Sequence, residues 1–166
     1  EARLDAVTRA LAAEMLAQGG IDDGEARIEL AIASGAVAER FAAMVSAQGG
    51  PADLIERPDG YLAKAPAILP VPAPASGTLI SVNARAIGEA IVGLGGGRKR
   101  LDDAIDLSTG YAEILPVGAV VQAGQPLAFV HAASEDAANQ GVADYLAACS
   151  VGDGAPDSYP LIRAVL

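Results

Sequence analysis

Basic residues are scarce in this chain: 11 Lys and Arg stand against 21 Asp and Glu over 166 residues, a net charge of -10. Nucleic-acid backbones and anionic membranes select for clustered Lys and Arg, so neither is expected as a partner. Cysteine occurs once, at Cys149, which excludes an internal disulfide and fits a reducing compartment. Histidine also occurs once. No uninterrupted apolar run approaches the ~20 residues that span a bilayer, and no basic segment precedes an apolar core as in a secretory leader. An acidic, soluble, cytoplasmic protein is the expectation. Charged residues make up only 19% and apolar ones 52%, a globular composition and not a disordered one. The length suits one medium domain, or a small domain with a helical appendage. The sequence opens "EARLDAVTRALAAEMLAQGG", beginning with Glu1 in place of a Met and already helical in period, which suggests a piece of a larger protein.

Over the first fifty residues the apolar spacing is helical. Leu4, Val7, Leu11 and Met15 share one stripe, and Gly19-Gly20 stops that helix. A second helix is expected from Asp22 or Asp23, with Ile28, Ala31 and Ile32 on its apolar side, ending before Gly35. A third places Val37, Phe41, Met44, Val45 and Gln48 together and ends at Gly49-Gly50-Pro51. Such stripes are ordinarily core, so these helices are expected to cover another part of a domain.

At "KAPAILPVPAPASG" the composition shifts: Pro66, Pro70, Pro72 and Pro74 exclude helix and favour a stiff, extended connector. Three segments are therefore expected: helices over 1–63, a connector over 64–76, and an α+β domain over 77–166. In the last, "GTLISVN" reads as a strand, and Asn83 suits the N-cap of a helix bearing Ile87, Ala90, Ile91 and Leu94, with Gly95 as its left-handed stop. Residues 112–132 are β-rich, broken by the turns "PVG" and "QAGQP". Ser134 suits the N-cap of a helix that carries Ala138, Val142, Tyr145 and Leu146, and "YPLIRAVL" reads as a final strand.

Three constellations bear on chemistry. Gly95-Gly96-Gly97 followed by Arg98, Lys99 and Arg100 suggests an anion loop, but a cradle needs glycine amides opening a helix after a strand, and here the glycines follow a helix. No G-x-x-x-x-G-K-[ST] or G-x-G-x-x-G pattern is met. A C-capping turn with a solvated basic tip is the favoured local reading, with phosphate contact as the alternative. His131, near Glu135 and Asp136, lacks the further ligands a metal needs, so a hydrogen-bonded histidine at a strand end is expected, and no metal. Cys149 has no basic partner in sequence and reads as a small inert apolar residue.

The third is "VGAVVQAGQPLAFVHAASE", whose V-G-x-x-V-x-x-G-x-P-L spacing resembles the half-barrel repeat of biotinyl and lipoyl carrier domains. In those carriers a modified lysine stands about seven residues after the Leu; here Ser134 occupies that register, so no amine is available for attachment. A wider resemblance runs through "GAVAERFAAMVSAQGGPADLIERPDGYLAKAP", "ARAIGEAIVGLGGGRKRLDDAIDLSTGY" and "VGAVVQAGQPLAFVHAASE". Together, and in this order, these blocks are similar to the C-terminal part of the thymidine and pyrimidine-nucleoside phosphorylases, the glycine-rich block with "IDLSTG" being the most specific.

The resemblance implies a β-rich, α/β-hammerhead-like domain related to barrel-sandwich folds. It also implies a homodimeric enzyme that uses inorganic phosphate as co-substrate, with no further cofactor, to convert a pyrimidine deoxynucleoside to its base and 2-deoxyribose 1-phosphate. The family's phosphate- and base-holding residues lie in earlier segments, so no catalytic or substrate-binding residue is carried over to this chain, which is expected to be inactive alone. Base preference is not fixed. The family's large domains close over substrate, and a loop like Gly95, Gly96, Gly97, Arg98, Lys99 lies towards that cleft. Arg98 is thereby implied to help order the closed state, with glycines suited to φ and ψ changes on closure. A different class of reading, a non-enzymatic carrier-like or scaffold module, needs no upstream half. A start codon hundreds of residues before Glu1 favours the enzyme, one adjacent to Glu1 the module.

Overall fold

A computed structural model describes residues 2–156 and 162, which fall into two compact units, one ending at Tyr61 and one beginning at Leu62. The first is helical: α1 (Ala2–Gln18), α2 (Gly24–Ala33) and α3 (Ala36–Ala47), then one 3-10 turn at Pro58–Gly60. Gly20 adopts the left-handed conformation that ends α1, and the Ile21 amide donates back to the Leu16 carbonyl at 2.9 Å. Gly49 does the same after α3, where the Gly50 amide donates to Val45 O at 2.9 Å. Helix bounds therefore follow the glycine punctuation.

Their apolar stripes do not form the expected core. Leu4, Leu11 and Met15 of α1 and Val37, Phe41 and Met44 of α3 are exposed, and neither helix buries a residue. The reason is layer count: α1 packs on α2 and α2 on α3, and a stripe is shielded only where an element lies over it. Val7, Leu16 and Ile28 are half-buried, and Gly24 is buried at a spot where a Cβ would lie 3.2 Å from Leu16 Cβ.

The second unit is α+β. Its elements are β1 (Ala67–Pro72), β2 (Gly77–Val82), α4 (Ala84–Gly93), β3 (Gly110–Ala112), β4 (Val120–Val121), β5 (Pro126–Ala132), α5 (Glu135–Ala148) and β6 (Cys149–Gly152). Two antiparallel three-stranded sheets result, ordered β1-β5-β3 and β4-β2-β6. The segment expected as a connector is extended, but its residues 67–72 are a sheet strand. Among the described residues β1 lies at a sheet edge with β5 as its one strand neighbour, and an edge accommodates Pro70 and Pro72, which lack a ladder N–H. Leu127, Ala128, Val130 and Ala132 of the central strand β5 are buried and pack with Val71, Ala138 and Tyr145; α5 lies against β1 and β5.

Caps match expectation: the Asn83 side chain accepts from the Ala86 amide at 3.1 Å, and Ser134 Oγ from the Ala137 amide at 3.2 Å. Gly118 and Gly124 take the left-handed conformation in the two turns that bracket β4. β6 follows α5 directly and carries no strand signal of its own, being four residues long. The expected final strand at 159–166 lies outside the described residues, Ile162 excepted.

Candidate functional site

The loop between α4 and β3 ends the helix with a paired closure: the Gly95 amide donates to Val92 O at 3.2 Å and the Gly96 amide to Ile91 O at 2.9 Å. This is the Schellman arrangement, and Gly95 alone of the three glycines has a left-handed φ, +97°. Gly96 and Gly97 are glycines for a different reason. A Cβ on Gly96 would stand 2.8 Å from Ile91 Cγ2, and one on Gly97 2.7 Å from Val92 Cγ2. Close approach to α4, more than free rotation, accounts for the second and third glycines, so φ and ψ freedom is not the property that two of the three supply.

Beyond the glycines, two aspartates organise the chain. Asp103 Oδ2 accepts the amides of Lys99 at 3.0 Å and Arg100 at 2.8 Å. Asp106 Oδ1 accepts both the amide and the hydroxyl of Ser108, at 2.9 and 2.7 Å, which holds its carboxyl below the usual carboxylate range. The Asp106 amide donates to Gly95 O at 2.9 Å, and Thr109 Oγ1 to Asp106 O at 3.1 Å, tying both ends of the loop together. Asp106 followed two residues later by Ser108 is a legible Asx-turn signal; Asp103 bonds backwards across three and four residues and has no such signature.

Arg98, Lys99 and Arg100 are exposed at the tip, and among the described residues none makes an ion pair. Asp102, Asp103 and Asp106 stand within the same stretch, so the loop carries three acids beside its three cations. The amides of Gly95, Gly96, Lys99 and Arg100 are bonded within the protein, so these four are not free to cradle a phosphate.

His131 lies in β5, opposite Ile68 on one side and Gly110 on the other. With Ser108, Thr109, Gly110, Tyr111 and Ala112 it lines a shallow depression of about 130 Å³. Its imidazole makes no hydrogen bond among the described residues, unlike the expected bonded histidine: the pairing of its strand engages main-chain groups only. No cluster of metal-ligating side chains occurs among the described residues. Cys149 is half-buried, its thiol pushed up by burial and directed to Leu146 O at 3.7 Å. Ser134, at the register of the carrier lysine, serves α5 as its cap.

Behind the loop, the Tyr111 hydroxyl donates to Gly141 O at 2.8 Å, and its ring meets that of Tyr145 with centroids 5.3 Å apart. Burial pushes both phenols up to about 12. Tyr111 thus fastens β3, and with it the loop's exit, to α5; in sequence it closes the glycine-rich block at 84–111, where nothing marks its hydroxyl as a tether.

The pyrimidine nucleoside phosphorylase C-terminal domain family matches residues 78–151, from β2 into β6. Among curated proteins, thymidine phosphorylase of Burkholderia cenocepacia is 56% identical over 138 residues, covering 81% of this chain and 32% of the relative. Thymidine phosphorylase of Sinorhizobium medicae is 44% identical over 168 residues, covering 99% of this chain and 38% of the relative. That of Agrobacterium fabrum is 45% identical over 159 residues, covering 93% and 36%. The chain spans about a third of the length of these relatives. Residues 78–151 therefore belong to the pyrimidine nucleoside phosphorylase C-terminal domain family, and most of the chain is similar to thymidine phosphorylases.

Proposed function

We propose that this chain is the C-terminal portion of a nucleoside phosphorylase whose whole protein converts thymidine and inorganic phosphate to thymine and 2-deoxyribose 1-phosphate. The carrying observation is the 44% identity that extends over 99% of the chain to a protein named thymidine phosphorylase. In phosphorolysis a phosphate oxygen bonds to the sugar C1′ as the C1′–N1 bond breaks, and the base leaves with the electron pair and is then protonated. That chemistry needs a positioned dianion and a polarised base. Ser108, Thr109, Tyr111 and His131 converge on a shallow depression of about 130 Å³ whose lining holds no Lys or Arg, which supports placing the phosphate-holding groups outside this chain. The helical unit fits a segment of a larger α/β domain, since its apolar stripes lie exposed. The V-G-x-x-V-x-x-G-x-P-L spacing, with Gly118 and Gly124 in the turns on either side of β4, is what supports a barrel-sandwich relationship for the second unit. The whole enzyme acts as a cytoplasmic homodimer without a further cofactor. No helix among the described residues is long and apolar enough to cross a membrane.

Within this reading the 95–107 loop meets the substrate cleft when the domains close, and Arg98 helps to order the closed state. Arg98→Ala in the longer protein should lower kcat about threefold, the loss of one exposed charged contact. Steady-state thymidine phosphorolysis tests this, and a wild-type rate would remove Arg98 from closure.

A further inference from the structure

We propose that Asp103 is a positioning residue for that closure: its carboxylate, bonded to the amides of Lys99 and Arg100, sets where the cations of residues 98–100 stand before the domains meet. This rests on the closure reading given above. The geometry sets Asp103 apart from its neighbours. One oxygen, Oδ2, receives both amides, so a single side chain fixes two consecutive peptide planes. Asp102, one residue earlier, is exposed and makes no hydrogen bond among the described residues. The rest of the loop is already closed without Asp103: the Gly95 and Gly96 amides are bonded to Val92 O and Ile91 O, and the Asp106 amide is tied to Gly95 O. Among the described residues the tip at Arg98–Leu101 has one further hydrogen bond, from the Asp103 amide to Arg100 O at 3.2 Å, and no other side chain bonds to it.

A tip held in advance loses little conformational freedom when it docks, and that saved entropy is what a positioning residue supplies. Both bonds are exposed. Without Asp103 the two amides turn to water, so the fold loses little while the tip gains alternative conformations.

The test compares Arg98→Ala, Asp103→Ala, Asp103→Asn and the double alanine variant in the longer protein, with kcat and both KM values measured. Asp103→Ala should lower kcat about threefold with KM for thymidine unchanged, matching Arg98→Ala, and the double variant should be no slower than either. Asp103→Asn keeps an acceptor oxygen and should restore the wild-type kcat. Wild-type kcat in Asp103→Ala beside a slow Arg98→Ala would overturn the inference while leaving the closure reading intact, as would simple additivity in the double variant. A wild-type rate in Arg98→Ala would instead sink the closure reading itself. Backbone order parameters of Lys99 and Arg100 in the 166-residue chain give a readout independent of activity. They should fall in Asp103→Ala and not in Asp103→Asn; unchanged values in Asp103→Ala refute the positioning role whatever the kinetics show.

Discussion

Replacing a glycine by alanine inside a helix ordinarily stabilises a protein by up to ~1 kcal/mol, because alanine loses less backbone freedom on folding. At Gly141 of α5 the sign should reverse. A Cβ there would stand 2.7 Å from Val130 Cγ1 and 3.3 Å from Leu94 Cδ2. Leu94 is half-buried at the end of α4 and can swing aside, but Val130 is fully buried in the central strand, paired to Leu69 on one side and Tyr111 on the other. Something must shift, and overpacking of this kind costs ~1–3 kcal/mol. The same shift strains the bond from the Tyr111 hydroxyl to Gly141 O. Gly141→Ala should therefore destabilise the second unit by ~1 kcal/mol net, after the helical gain is subtracted. Gly88, inside α4, provides the control: a Cβ there meets nothing within 4 Å, so Gly88→Ala should stabilise by ~0.5–1 kcal/mol. Hydrogen exchange at the buried amides of β5 reports the global unfolding of this unit, with ~1 kcal/mol read as roughly a fivefold change in rate. Equal signs for the two substitutions would refute the packing argument.

Three further outcomes follow from the same structure. Asn83→Ala and Ser134→Ala each remove a side-chain cap and should each cost ~1 kcal/mol in urea unfolding; additivity is expected, since the caps serve different helices. Tyr111→Phe leaves Gly141 O without its donor and should cost ~1 kcal/mol by the same assay. The tyrosines also set an alkaline limit. Burial raises Tyr111 and Tyr145 to about 12 in the folded chain, against about 10 when unfolded, so folding favours the neutral phenol. The stability this represents is whole below about pH 10 and is lost as pH rises from about 10 to 12. Tyrosinate absorbance should show Tyr111 and Tyr145 resisting ionisation well above pH 10, and loss of that resistance in the folded chain would contradict it.

Helix limits were readable because glycine punctuates them: Gly20, Gly49 and Gly95 all adopt the left-handed conformation their positions suggest. The caps at Asn83 and Ser134 were readable because capping is local chemistry. β1 was not, since proline argues against a strand until one knows that its ladder has only one side, and edge position is a property of the assembled sheet. The α1 and α3 stripes were readable as faces that cover something, but not that they lie exposed in this chain. Periodicity identifies an apolar face but not whether anything lies against it.

In the loop, the run of glycines and the role of Gly95 as helix stop were visible, while the causes at Gly96 and Gly97 were not. Gly95 answers to φ, and Gly96 and Gly97 answer to the side chains of Ile91 and Val92, which only the folded chain brings near. Asp103 escaped notice because a carboxylate beside basic residues reads as a solvated charge. Its bonds go to their amides instead.

The most direct measurement is thymine release from thymidine and phosphate, by this 166-residue chain and by the longer protein under identical conditions. The account predicts phosphate-dependent release by the longer protein and none by the chain alone. Release by the chain alone would contradict it, and would place the reacting groups among residues assigned here only to fold and loop.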